Sequence, residues 1–224
     1  MNHTTPTTEH IHTPAQPGFV QHHFTDAEQQ RESSKLGIWI FLLTEVLFFG
    51  GLFCAYAVYR AWNPDMFHNA NRHLDVALGA LNTVVLITSS LTMALAIRSM
   101  QLGRKSHTLI NLGLTLALAG TFLVVKFFEY HHKFELGLLP GKYYTFQGIE
   151  GSNPHIFFSV YFFMTGLHGI HVIAGMIAIG WMMYRTSRNH FSAAYYNPIE
   201  MTGLYWHLVD LVWIFLFPLL YLIG

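Results

Sequence analysis

Five stretches of this chain are so apolar, and so long, that they leave it one kind of surroundings. They cover residues 36–59, 74–97, 109–130, 156–184 and 201–223. A helix rises about 1.5 Å per residue, so about 20 residues cross the hydrocarbon core of a bilayer. Each stretch meets that length. Hydrocarbon offers no water to satisfy a backbone, so each is predicted to be a transmembrane α-helix. The fold class follows: an all-α polytopic membrane protein, a five-helix bundle. Only 11% of the residues are charged, against about 25% in a soluble domain. The fourth stretch is overlong and is expected to tilt or project.

Little chain remains outside these spans. Residues 1–33 are polar, carry Pro6, Pro14 and Pro17, and hold His3, His10, His12, His22 and His23. They have no apolar core, so they are neither a secretory signal nor a span. A flexible tail is expected ahead of a membrane domain over 34–224, with adventitious metal binding as the alternative for its histidines. Residues 25–34 suit a short surface helix, with Thr25 and Glu28 placed as a capping box. The single cysteine, Cys54, excludes an intrachain disulfide and reads as a small buried hydrophobe. Net charge is zero with histidine neutral, so nothing points to a nucleic-acid partner. On one side the connections carry Arg31, Lys35, Arg98, Arg104, Lys105, Arg185 and Arg188; the other side carries Arg60, Arg72, Lys133 and Lys142. The positive-inside rule then sets the N-terminus inside and the C-terminus outside.

Ionisable groups inside the spans are the candidate functional residues, because hydrocarbon makes them costly. His168 and His171 lie three residues apart in the fourth span, which brings them to one side of a helix. Gly175 lies near that face, and Gly166 and Gly169 let a neighbouring helix approach closely. The pair reads as a hydrogen-bonded helix contact, a metal or haem ligand set, or a proton relay. Glu45 is the only charge in the first span, roughly 15 Å from its end. It is expected to be neutral unless a partner pairs with it, and His171 and His207 are the candidates by depth. In the fifth span His207 and Asp210, spaced i, i+3, read as a structural pair, with Gly203 on nearly the same face. Lys126 and Glu129, also i, i+3, read as an ion pair at the membrane interface, with Lys126 snorkelling outward. Glu129 and His132 make a Glu-x-x-His pattern of the di-iron kind. Glu129 nevertheless falls near one surface while the other ligand types fall deeper, so no metal or catalytic set is assigned to this chain.

Four segments together carry a resemblance: Thr44-Glu45-Val46-Leu47-Phe48-Phe49, Leu81-Asn82-Thr83, Gly166-Leu167-His168-Gly169-Ile170-His171-Val172, and Tyr205-Trp206-His207-Leu208-Val209-Asp210-Leu211-Val212-Trp213. In this order they resemble cytochrome c oxidase subunit III, over roughly residues 34–224. The long form of that family has seven spans; this chain resembles the five-span form, lacking the first two. The resemblance implies a subunit with no redox centre, bound beside catalytic subunit I, which holds the haems and copper that reduce oxygen and pump protons. It also implies phospholipid between the helices, support of proton uptake and enzyme lifetime, and a bacterial inner membrane. Glu45 corresponds to the family's glutamate. Arg185 corresponds to an arginine facing lipid headgroups, which Arg188 and His190 would assist; His190 and Glu200 also fall at matching positions. The same layout suits the equivalent subunit of a quinol oxidase or nitric-oxide reductase. Two readings of another class remain: a membrane haem or di-iron enzyme, and a proton-coupled transporter using Glu45 and Asp210, which the lack of an internal repeat disfavours.

Overall fold

The computed structural model describes residues 18, 20–146, 148–149 and 153–223. Most of the expected flexible tail, with His3, His10 and His12, lies outside the described residues. Six helices follow: α1 (Ala27–Trp62), α2 (Pro64–Asn71), α3 (Val76–Gln101), α4 (Lys105–Glu135), α5 (His155–Ser187) and α6 (Asn197–Phe217). All but the short α2 are long and apolar enough to cross a membrane. The five predicted membrane helices are therefore present; the second span begins two residues ahead of α3, and the fifth runs past the end of α6. A short 3-10 turn at Gly141–Tyr143 and a π-turn at Pro218–Leu222 complete the order.

Local chemistry sets the ends. Asp26 caps α1 by accepting from the Gln29 N–H at 2.8 Å, while Gln29 Oε1 accepts from the Thr25 N–H at 2.7 Å. The cap is thus built on Asp26 and Gln29 rather than Thr25 and Glu28, and the expected short surface helix is the first turns of α1. Residues 27–33, expected in the tail, are helical for the same reason. Asp75 caps α3 through the Leu78 N–H at 3.0 Å. Gly103, Gly137 and Asn189 close α3, α4 and α5 with positive φ. Beside them Arg104, Leu138 and His190 N–H groups reach back to the Ser99, Lys133 and Arg185 carbonyls at 2.9–3.1 Å, the geometry that satisfies carbonyls left over at a helix end.

Helices α3, α4, α5 and α6 pack as a bundle around Leu86, Met93, Phe122, Tyr161, Trp206 and Trp213, all fully buried. Its interior is also polar. The buried face of α4 reads Thr108, Leu112, Thr115, Ala119, Phe122, Lys126, Glu129, Lys133, the three-and-four spacing of one helix face. α1 stands apart. Only Leu42, Phe49 and Tyr56 are buried along its 36 residues, one seam at a spacing of seven. Cys54, expected to be buried, is exposed on it, because the rest of α1 turns outward as a lipid-facing surface does. Near its end, Tyr56 donates to the Leu219 carbonyl at 2.7 Å and Arg60 to the Ile223 carbonyl at 2.6 Å. The α1 start lies beside the α5–α6 connection, since Ala27, Arg31, Tyr195 and Asn197 line one surface cavity. This is the proximal end of the bundle; α1, α4 and α6 finish at the distal end.

Glycine separates the close contacts from the open ones. A Cβ on Gly175 would sit 2.7 Å from the Trp206 ring, and one on Gly203 would sit 2.5 Å from Ile97 Cδ1. Gly169 has nothing within 4 Å, and Gly166 meets only the Tyr130 hydroxyl at 4.0 Å. The close approach expected at Gly166 and Gly169 occurs instead at Gly175, where α6 crosses α5.

Candidate functional site

The seam between α1 and α5 brings Glu45 to His171. Glu45 Oε2 lies 3.0 Å from His171 Nε2, while His171 Nδ1 lies 2.8 Å from the Leu167 carbonyl. A carbonyl oxygen only accepts, so Nδ1 carries a hydrogen. Nε2 then either accepts from a protonated Glu45 or, as part of an imidazolium, donates to its carboxylate. Both arrangements hold one proton on the Nε2–Oε2 line and no net charge. The side chains are 17% and 19% exposed, so the couple sits at the mouth of the seam. Phe49 meets the imidazole edge-on, with ring centroids 5.1 Å apart. Tyr205 pins the helix locally by donating to the His171 carbonyl at 3.1 Å.

His168, one turn away, goes elsewhere. Three residues turn a helix through about 300°, which leaves neighbours about 60° apart and lets them face different partners. His168 is fully buried between Phe122 and Trp213, with ring centroids 5.5 and 5.3 Å away. Neither of its nitrogens has a hydrogen-bond partner among the described residues. The two histidines thus do not form one ligand pair.

The expected bond between His207 and Asp210 is not made. His207 Nδ1 lies 2.6 Å from Ser90 Oγ on α3. Asp210 is 3% exposed and lies beside the same Ser90, without a well-formed hydrogen bond to it. The two side chains line one cavity of about 190 Å³ with Ser90, without a hydrogen bond between them. Trp206 and Trp213, on the inward face of α6, donate to Ser89 Oγ at 3.1 Å and Thr83 Oγ1 at 3.0 Å.

Lys126 and Glu129 do pair, at 2.8 Å. The expected snorkelling is corrected: Lys126 is 7% exposed and points into the bundle. Glu129 also accepts from Lys133 at 3.0 Å, from Tyr161 at 2.9 Å and from Tyr221 at 2.6 Å. Lys126 in turn donates to Tyr161 and Tyr221 at 3.1 and 2.9 Å. Lys133, counted as a loop charge from sequence, belongs to this network, and its spacing of four from Glu129 was the available signal. Tyr161 and Tyr221 come from other helices and left no local signal.

At the proximal end Arg185 stacks on Phe191 at 5.1 Å and Arg188 on Tyr184 at 5.4 Å. Lys105 donates to Asn189 at 2.8 Å nearby. Arg188 and His190 are exposed, and Arg185 is half-buried. No grouping of three metal-ligating side chains occurs among the described residues. Glu129 lies with lysines and tyrosines, His171 with Glu45, and His207 with Ser90, so the ligands a haem or di-iron centre would use are dispersed.

Comparison with known proteins adds a lineage to this geometry. Residues 17–224 match the family model for cytochrome c oxidase subunit III. The chain is 32% identical over 188 residues to a cytochrome c oxidase subunit 3 of Synechocystis, covering 84% of this chain and 74% of that protein. It is 32% identical over 195 residues to a cytochrome bo(3) ubiquinol oxidase subunit 3 of Pseudomonas putida, covering 84% and 85%. To a cytochrome c oxidase subunit 3 of Ovis aries it is 32% identical over 213 residues, covering 91% and 74%.

Proposed function

Because the chain belongs to the cytochrome c oxidase subunit III family, we propose that it is the redox-inactive third subunit of a cytochrome c-oxidising haem–copper oxygen reductase, seated beside the catalytic subunit. Haem and copper belong to that partner, and this chain supplies structure, bound lipid and a proton-holding group. The orientation carries the N-terminus inside a bacterial inner membrane, as the seven-to-four bias of basic residues supports.

The observation that carries the reading is the Glu45–His171 couple. It is a neutral, one-proton hydrogen bond at the mouth of a seam, away from any set of metal ligands among the described residues. A group of this kind holds and relays a proton without electron chemistry. Glu45→Gln keeps the shape and one hydrogen bond but cannot ionise. Glu45→Leu strands the imidazole nitrogen, and an unsatisfied buried polar group costs about 1–3 kcal/mol.

The test purifies the complex through a tag on this chain. The complex should show haem absorption and copper, and it should oxidise reduced cytochrome c. The chain isolated from it in detergent should be colourless. Glu45→Gln should leave initial oxygen reduction nearly intact, whereas Glu45→Leu should shorten the number of turnovers before inactivation. A Soret band on the isolated chain, or loss of initial turnover in an assembled Glu45→Gln complex, overturns the proposal. Activity with quinol alone would move the chain to the quinol oxidase branch.

A further inference from the structure

The Lys126–Glu129–Lys133 cluster is unbalanced. Two ammonium groups share one carboxylate, and the three residues are 7%, 3% and 2% exposed. Glu129 already accepts from four donors. Lys126 places its three N–H bonds on Glu129, Tyr161 and Tyr221. Lys133 has one acceptor, Glu129 Oε1 at 3.0 Å, and the face of the Tyr161 ring at 5.2 Å. Two of its N–H bonds thus have no acceptor among the described residues. A buried cation left so is costly unless an anion completes it.

Lys133 and Glu129 form one wall of a cavity of about 390 Å³ at the distal end, between the finish of α4 and the start of α3. Arg72 also lines the cavity, 3.0 Å from His68 Nε2 and with no carboxylate partner among the described residues. The other carboxylate there, Asp75, is occupied as the α3 cap. With Lys126 behind the wall, three cations face two carboxylates, both already in use. Apolar side chains complete the lining: Leu74, Leu78, Phe128 and Leu136, of which Phe128 is 65% exposed. Lys133 lies two residues before α4 ends and Asp75 just before α3 begins, so the cavity sits at the ends of two helices long and apolar enough to cross a membrane.

We propose that this cavity binds an anionic phospholipid, its phosphodiester completing Lys133 and Arg72 and its acyl chains running along Leu78 and Phe128. An anion is required by the charge balance. A lipid, rather than soluble phosphate, is favoured by the apolar lining and by the exposed Phe128 at a helix long and apolar enough to cross a membrane. The site is separate from Arg185 and Arg188, which lie at the proximal end, and it does not depend on the proton role given to Glu45.

The test uses the whole complex, delipidated in detergent and titrated with dioleoyl phosphatidylglycerol, with bound lipid counted by native mass spectrometry. Lys133→Gln leaves Lys126 and Glu129 as a one-to-one pair, so assembly should survive. It should lose one phosphatidylglycerol per complex, or bind it about fivefold more weakly, the scale of one interfacial cation. Arg72→Gln alters an exposed side chain that cannot unfold the bundle, and should weaken the same lipid. Dioleoyl phosphatidylcholine, with no net charge, should bind more weakly. An unchanged lipid count in Arg72→Gln and in assembled Lys133→Gln overturns the site. Displacement of the lipid by millimolar inorganic phosphate would make it a soluble-anion site, and overturns it as a lipid site.

Discussion

Replacing Glu129 by glutamine should be among the most damaging single changes in this chain. The carboxylate joins two lysines and two tyrosines in four hydrogen bonds of 2.6–3.0 Å. Glutamine keeps one accepting oxygen, but its other terminus is an NH₂ that faces an ammonium. Two buried cations then lose their only counter-charge. Breaking a buried pair by removing one partner costs about 3–5 kcal/mol, and two stranded ammonium groups put Glu129→Gln at the upper part of that range. The assay is equilibrium unfolding of the purified chain in mixed micelles, followed by circular dichroism. Two comparisons frame it. Glu129→Gln with Lys133→Met strands one ammonium instead of two, so it should recover part of the loss. Glu28→Gln removes a 4.0 Å contact with Arg31 whose side chains are 74% and 51% exposed, and should change stability by less than about 0.5 kcal/mol. If Glu129→Gln stays within about 1 kcal/mol of wild type, the lysines are not both charged there, and the charge-balance argument for the neighbouring cavity fails with it.

Two further outcomes follow from packing and from surface charge. Gly175→Ala puts a methyl 2.7 Å from the fully buried Trp206 ring and should destabilise by about 1–3 kcal/mol, whereas Gly169→Ala, with open space around it, should be neutral or slightly stabilising in the same unfolding assay. Arg185→Ala with Arg188→Ala removes two cations from the proximal end, where both stand beside aromatic rings; retained lipid phosphorus per complex should fall, and an unchanged count would remove headgroup binding from that end.

The sequence by itself determined that this chain crosses a membrane five times, because a run of about 20 apolar residues has only one way to satisfy its backbone in hydrocarbon. It also marked Glu45, His171, His207, Asp210, Lys126 and Glu129, since a charge or imidazole inside such a run stands out against its neighbours. Partnership was another matter. Periodicity reports which residues share a helix, and roughly which face, but not what stands opposite. Glu45 needed His171 from a helix 126 positions away, and depth alone left His207 equally eligible. His207 took Ser90 of α3 as its partner, and Asp210 stayed buried beside the same serine; i, i+3 spacing puts two side chains near one another without making them bond. Lys126 turned inward, where Tyr161 and Tyr221 supply oxygen atoms and Glu129 a charge; a local rule sees only the long stem and the nearby surface. The glycines divide in the same way. Gly169 and Gly175 are alike in sequence, and only the crossing of α6 over Gly175 decides which one must stay without a side chain.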